Sequence, residues 1–171
     1  MNHVGEFEKV SFEQFYAAMS EIIDTEYKDE FIQSAYRDLK IPERATSGSA
    51  GYDFKSPFNF TLHPGQTIKI PTGIRVKIDE GWWLGCLPRS GLGFKYRLQL
   101  NNTVGVIDSD YYHSDNEGHI FAKITNDSNE GKDIKIKAGD GFIQAVFIPY
   151  GITYSDSANG VRNGGMGSTG K

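Results

Sequence analysis

The chain has 171 residues, the size of one domain with a hydrophobic core of its own. Its formal net charge is −4 and no run of five like charges occurs, which argues against broad attraction to nucleic acid or to an anionic membrane. The one cysteine, Cys86, excludes an internal disulfide and fits a reducing cytosol. Because no apolar run approaches the ~20 residues of a membrane span, we expect a cytoplasmic protein.

The region 11–40 has the apolar spacing of helices. Ser11 and Gln14 form a capping-box sequence at its start, and the Ile-Pro pair at 41–42 ends the pattern. We expect two amphipathic helices, or one kinked helix, inserted after a short strand at about 6–10. The apolar stripes must be buried, and we favour burial on the β-core over docking of another protein.

From Pro42 onward, apolar residues alternate with polar ones, and glycine, proline and aspartate separate the short segments. This pattern predicts a β-sandwich or jelly roll. The expected strands include 58–62, 74–78, 82–86, 119–126 and 142–149.

The segment from Arg162 to Lys171 is rich in glycine and has adjacent hydroxyls at Ser168 and Thr169. Glycine lets backbone N–H groups approach phosphate oxygens, and the hydroxyls and the guanidinium add donors. The spacing also satisfies a dinucleotide-binding pattern and most of a Walker A loop, but both need a helix that does not follow here. We predict a mobile arm over 160–171 that closes over a phosphate.

Four further segments place a charged or hydroxyl side chain beside glycine, at 50–54, 88–93, 102–111 and 139–144. In this order, and with the C-terminal segment, they resemble the five motifs of the homotrimeric deoxyuridine triphosphatase (dUTPase) family. The resemblance covers residues 41–170 and implies a mainly β, jelly-roll or β-barrel subunit. One domain would then span 1–171, with an N-terminal helical insertion and a flexible C-terminal arm. We expect a phage or Gram-positive bacterial type, located in the host cytoplasm if phage-encoded.

The resemblance also implies a reaction. Members of the family hydrolyse dUTP to dUMP and pyrophosphate by Mg²⁺-assisted attack of water on the α-phosphorus, which limits uracil in DNA and supplies dUMP for thymidylate synthesis. From the residues alone, Asp108 is expected at a hairpin, at a strand end facing a cleft, where it can accept a proton. Its family counterpart activates the water. The counterpart of Asp53 holds a water of the Mg²⁺, which suits an ion that gives up water reluctantly.

Substrate contacts follow from the same resemblance. Tyr111 lies among polar residues, so we expect it not to be fully buried, and its counterpart packs on the deoxyribose and excludes a 2′-hydroxyl. Met166 stands where an aromatic residue usually covers the uracil ring. The uracil edge is assigned to the Asn102 side chain and to the backbone of Val106 and Ile107. The phosphates are assigned to Arg89, Ser90, Gly91, Gln144, Arg162, Gly167, Ser168 and Thr169.

The family's assembly implies a homotrimer with shared active sites. One subunit supplies Asp53, Arg89 and Gln144, a second supplies Asp108, and a third supplies the arm. A dCTP deaminase shares the fold, although the Pro-Arg-Ser-Gly-Leu-Gly run at 88–93 favours a dUTPase. The other alternative is a regulatory protein that binds a partner through the helical insertion.

The segment 112–118 is longer than the usual return after the tyrosine of this motif. Acidic and histidine side chains in and beside it could form a separate transition-metal site. We do not favour such a site, because spacing alone enforces no ligand geometry. The residues concerned are Asp110, His113, Asp115, Glu117 and His119.

Overall fold

A computed structural model of the chain describes residues 2–164. The predicted contacts of Met166, Gly167, Ser168 and Thr169 therefore lie outside the described residues. The three α-helices of the described part are α1 Phe12–Ser20, α2 Lys28–Asp38 and α3 Ser90–Tyr96. Its strands are β1 Gly5–Lys9, β2 Glu43–Arg44, β3 Tyr52–Lys55, β4 Phe60–Leu62, β5 Thr67–Pro71, β6 Ile74–Ile78, β7 Trp82–Pro88, β8 Leu98–Leu100, β9 Gly105–Ile107, β10 Phe121–Asn126, β11 Ile134–Ile136 and β12 Gly141–Pro149. None of the helices within 2–164 has the length and apolar character that crossing a membrane requires.

The mainly β architecture is confirmed. The largest sheet has five antiparallel strands in the order β2-β3-β12-β7-β9, and the three-stranded sheet has the order β5-β10-β8. Two further pairs, β1 with β6 and β4 with β11, complete the arrangement. This topology places β9 at the edge of the largest sheet, which matters for the site described below.

Most predicted strands are present, but 58–62 is only partly extended. The Ser56 hydroxyl donates to the carbonyl oxygen of Phe58 at 2.6 Å, and strand β4 begins after this turn, at Phe60. The Ser56 side chain thus gives the backbone a local hydrogen bond in place of the strand-to-strand hydrogen bonds of a β-sheet. The alternation 74–78 coincides with β6.

Two separate helices form in the insertion, and they pack on the β-core as predicted. Phe15, Met19 and Ile32 are completely buried and belong to the main hydrophobic cluster. The helices rest on Gly73, which has φ 73° and where an added Cβ would lie 2.4 Å from Cδ1 of Leu39. A larger residue at this turn would be strained and would also push the helices away.

The capping box at the start of α1 is only half correct. The Ser11 hydroxyl accepts a hydrogen bond from the backbone N–H of Gln14 at 3.1 Å, as predicted. The backbone N–H of Ser11, however, donates to Glu117 at 2.8 Å, while the Gln14 side chain lies against His119. A carboxylate distant in sequence therefore replaces the local partner.

Candidate functional site

The structure brings together Asp53, Arg89 and Gln144. These are the residues that the resemblance assigns to a single subunit of the shared site. Gln144 on β12 lies opposite Asp53 on β3, and its Nε2 donates to the carbonyl oxygen of Pro88 at 3.0 Å. Arg89 Nε lies 3.0 Å from Oδ1 of Asp53, and its Nη1 donates to the carbonyl oxygen of Gly141 at 2.9 Å. Adjacent strands of one sheet thus present a cation, a carboxylate and an amide.

Two glycines make room for this group. A Cβ at Gly141 would lie 2.6 Å from Nη1 of Arg89, and a Cβ at Gly51 would lie 2.5 Å from Oε1 of Gln144. Both side chains therefore lie directly on a glycine backbone. Ser90 and Gly91 follow as the exposed first residues of α3, with Arg89 as the N-cap.

The predicted uracil-binding segment forms the edge strand β9. Within residues 2–164 this strand pairs with β7 alone, so its outer edge carries main-chain N–H and C=O groups that another molecule can use. Val106 is exposed, whereas Ile107 is buried in the core. The Asn102 amide nitrogen lies 3.8 Å from the position of a Cβ on Gly105, beside the same strand.

Asp108 does not lie in a hairpin, contrary to expectation. It is the N-cap of a 3₁₀ helix, Ser109–His113, and β10 pairs with β5 and β8 rather than with β9. The long segment after Tyr111 lets the chain leave the edge of the sheet instead of returning along it. The Asp108 side chain is 50% exposed, as a residue that meets water requires.

The expectation that Tyr111 is not fully buried is wrong, because the residue is only 2% exposed. Its hydroxyl donates to the carbonyl oxygen of His119 at 2.7 Å, which satisfies the polar end of the ring inside the protein. Burial raises the pKa of Tyr111, so the phenol stays protonated. Polar neighbours in sequence did not reveal this, since the 3₁₀ turn directs the ring inward.

Arg162 reaches Asp108 from 54 residues away. Its Nη1 lies 2.9 Å from Oδ2 of Asp108 and 3.0 Å from Oδ1 of Asp110, and its guanidinium carbon lies 5.2 Å from the centre of the Tyr111 ring. Burial alone would lower the pKa of Arg162, but the two carboxylates raise it. The resemblance assigned Asp108 and the arm to different subunits, whereas here they meet within one chain.

The two groups of site residues do not meet within the chain. Ile107 lies opposite Leu84 in the β9–β7 ladder, whereas Arg89 follows the far end of β7. Leu84 and Arg89 are five residues apart, or about 17 Å at the rise of ~3.3–3.4 Å per strand residue. Asp108 lies one residue further from Arg89.

The possible transition-metal set does not assemble. Among residues 2–164, no group of three histidine, cysteine, aspartate or glutamate side chains could hold a metal ion. Glu117 is bound to Ser11, and the buried His119 accepts from the backbone N–H of Gly73 at 2.8 Å. Burial lowers the pKa of His119 to about 4, so the ring is neutral at pH 7.

Asp53 fits contact with a hydrated Mg²⁺. Arg89 pairs with its Oδ1, and its Oδ2 can accept a hydrogen bond from a metal-bound water.

Sequence reasoning missed one contact of the site. Asn116 Nδ2 donates to the Tyr111 hydroxyl at 2.9 Å. The unusual length of 112–118 was the only signal that this segment has a role of its own.

Comparison with known proteins agrees with the fold. The dUTPase family model matches residues 37–170. The deoxyuridine 5′-triphosphate nucleotidohydrolase of Lactococcus lactis is 39% identical over 135 residues, which cover 77% of this chain and 89% of that protein. The crystal structure of dUTPase from Streptococcus mutans has a TM-score of 0.61 at 30% identity, covering 86% and 97% of the two chains.

The dUTPase of Staphylococcus bacteriophage 80alpha shares the fold at 19% identity, with a TM-score of 0.63 over 95% of this chain and 92% of its own. The family model spans most of the chain, and the Lactococcus lactis relative covers 77% of it at 39% identity. The chain belongs to the dUTPase family.

Proposed function

We propose that the protein is a dUTP diphosphatase that hydrolyses dUTP to dUMP and pyrophosphate. The observation that carries the proposal is the half-exposed Asp108 directly after the edge strand β9. The main-chain groups of β9 can hydrogen-bond a base. The Asp108 carboxylate, which can activate water, lies directly beside them. The reaction would limit uracil in DNA and supply dUMP for thymidylate synthesis.

In the proposed step, Asp108 accepts a proton from water as the water oxygen attacks the α-phosphorus. The bond from the α-phosphorus to the oxygen bridging to the β-phosphate breaks, and pyrophosphate leaves. Asp53 would hold a hydrated Mg²⁺ through one of its waters, and the ion would supply neutralisation of the triphosphate charge.

Base and sugar recognition uses the edge of β9. The backbone of Val106 and Ile107, with the Asn102 amide, would hydrogen-bond the uracil edge, and a rigid main-chain wall can exclude both cytosine and thymine. The Tyr111 ring, over which the Arg162 guanidinium lies in the free chain, would pack on the deoxyribose once Arg162 moves to the phosphates. Met166 would cover the uracil ring with its thioether.

The phosphate chain would be held from two sides. Arg89, Ser90, Gly91 and Gln144 form one side, on and beside β7 and β12. Arg162 and the hydroxyls and glycine of the arm, Gly167, Ser168 and Thr169, form the other.

The separation of Asp108 from the Arg89 group supports a site shared between subunits, as in the proposed homotrimer. Within one chain, Asp108 and Arg89 lie more than about 17 Å apart along β7. A complete site then requires the Asp108 segment of one subunit beside the Arg89 group of another. Arg162 pairs with Asp108 of its own chain, so the start of the arm would accompany the Asp108 segment to the shared site.

Pyrophosphate release from dUTP, dCTP, UTP and dTTP, each with and without EDTA, tests the proposal. We expect metal-dependent release from dUTP alone. Ammonia release from dCTP would support the dCTP deaminase alternative, and absence of pyrophosphate release from dUTP would overturn the proposal. The regulatory alternative receives less support, since the main apolar stripes of the helices are buried on the protein's own core.

A further inference from the structure

The position of the Tyr111 ring depends on its hydroxyl group. The hydroxyl donates to the carbonyl oxygen of His119 at 2.7 Å and accepts from Nδ2 of Asn116 at 2.9 Å. The ring itself is buried, so these two bonds and the surrounding core define where it lies. Asn116 lies in the long segment 112–118, and His119 directly follows that segment.

Asn116 is itself held in place. Its Oδ1 accepts from the backbone N–H of Gly118 at 3.2 Å, and its carbonyl oxygen accepts from the N–H of His119 at 3.0 Å. Gly118 has φ 70°, and a Cβ there would lie 2.8 Å from the Cα of Tyr112. The loop is therefore closed against its own backbone, and only glycine permits this approach.

Residues outside the loop hold it as well. The Glu117 carboxylate accepts from both the backbone N–H and the hydroxyl of Ser11, at 2.8 and 2.6 Å, 106 residues away in sequence. Burial alone would raise the pKa of Glu117, but the hydrogen bonds from Ser11 and the charge of Arg75 lower it, so the group is ionised at pH 7. Helix α1, which rests on the core, thus supports the loop that contacts Tyr111.

We propose that Asn116 is a positioning residue for Tyr111, that Glu117 fixes the Asn116 loop to α1, and that this arrangement sets the discrimination between deoxyribose and ribose nucleotides. The proposal rests on the proposed function, in which the Tyr111 ring packs on the sugar. A ring that can move away from the sugar leaves space for a 2′-hydroxyl, and an apolar contact rejects an added hydroxyl by only about 10²-fold, so the ring position matters. The helical insertion and the long loop then act together on specificity.

A double-mutant cycle tests the link between Asn116 and the Tyr111 hydroxyl. Asn116→Ala, Tyr111→Phe and the double variant are compared by kcat/KM for dUTP and for UTP. We expect each single variant to lose about tenfold or more of the preference for dUTP. The double variant should lose no more than Tyr111→Phe, because Asn116 acts through the hydroxyl that this change removes.

Asn59→Ala is the matched control. Asn59 also lies in a loop, and its Oδ1 accepts from the backbone N–H of Ala138 at 2.8 Å, far from Tyr111 in sequence. The control should keep the wild-type preference. Thermal unfolding of every variant separates a loss of stability from a change of specificity.

Glu117→Gln provides a second route if Asn116→Ala fails to fold, since it retains the size of the side chain and weakens its bonds to Ser11. Calorimetric binding of the α,β-imido analogues of dUTP and UTP measures the same discrimination without hydrolysis. A wild-type protein without activity would overturn the proposed function alone. Wild-type discrimination in folded Asn116→Ala or Glu117→Gln, or multiplicative losses in the double variant, would overturn the positioning role.

Discussion

Arg162 and Asp108 form an ion pair between the C-terminal segment and the end of β9, with 2.9 Å between Nη1 and Oδ2. Asp108 is the proposed proton acceptor and Arg162 a proposed phosphate ligand, so this pair joins two parts of the proposed machinery before substrate arrives. Among residues 2–164, Nε of Arg162 has no hydrogen-bond partner. That nitrogen is buried, so a phosphate oxygen can accept a hydrogen bond from it only after Arg162 moves.

Asp108→Asn should lower turnover by roughly 10²–10⁴-fold, the usual effect of losing a positioned general base. Folding and binding of an imido analogue should persist, because the amide has nearly the same shape. Asp127→Asn is the control, since Asp127 is also 50% exposed and paired with an arginine, Arg97, at 2.9 Å. Steady-state pyrophosphate release measures the turnover of both variants. A loss of less than tenfold for Asp108→Asn would show that Asp108 is not the general base.

Mixing two inactive variants tests the shared site. If Asp108 and Arg89 act from different subunits, trimers refolded from equal amounts of Asp108→Asn and Arg89→Ala should regain activity in about one site in four. Arg89→Ala mixed with Gln144→Ala is the control, because these side chains belong to one group in the same chain. Equal recovery in both mixtures, or none in either, would argue against sites shared in this way.

Removal of residues 163–171 should leave a folded protein with sharply reduced hydrolysis. The segment contains no core-forming residue other than Met166, yet it carries the hydroxyls proposed for phosphate binding. Pyrophosphate release and thermal unfolding are measured on the same samples. A full-length Ser168→Ala, Thr169→Val variant separates loss of the hydroxyls from loss of the arm, and near-normal kinetics in both would make this segment dispensable.

His119 should make stability depend on pH between about 6.5 and 4. Burial lowers its pKa from 6.5 to about 4, so the unfolded chain binds the proton more readily and stability falls as pH decreases through this window. The full effect approaches roughly 3 kcal/mol by pH 4. His119→Gln, which keeps an acceptor for Gly73, should flatten this dependence in urea unfolding. The exposed His63→Gln serves as the control, and equal slopes in all three proteins would contradict this interpretation.

Phe15→Ala should destabilise the protein by about 3–5 kcal/mol, because the ring is completely buried between α1, α2 and the β-core. Phe31→Ala on α2 should cost far less, since its ring is 39% exposed. Denaturant unfolding compares the two variants. Similar losses would mean that the helices do not pack on the core as described.

The sequence determined the order of the motifs, the two helices and most strands, since local periodicity and turn residues depend on few neighbours. It also identified the residues at 53, 89 and 144, which the β3-β12-β7 ladders bring together. Alternation along the chain predicts the strands, whereas the resemblance of their motifs to the dUTPase family identified these three residues.

The contacts of the long loop 112–118 could not be predicted from the sequence and are seen only in the folded chain. The burial of Tyr111, its hydrogen bond from Asn116 and the bond of Ser11 to Glu117 depend on how 112–118 closes, and no periodicity describes an irregular loop. The distance between Asp108 and Arg89 likewise arises from the register of β9 on β7, because strand pairing is set by long-range contacts that single-segment patterns do not contain.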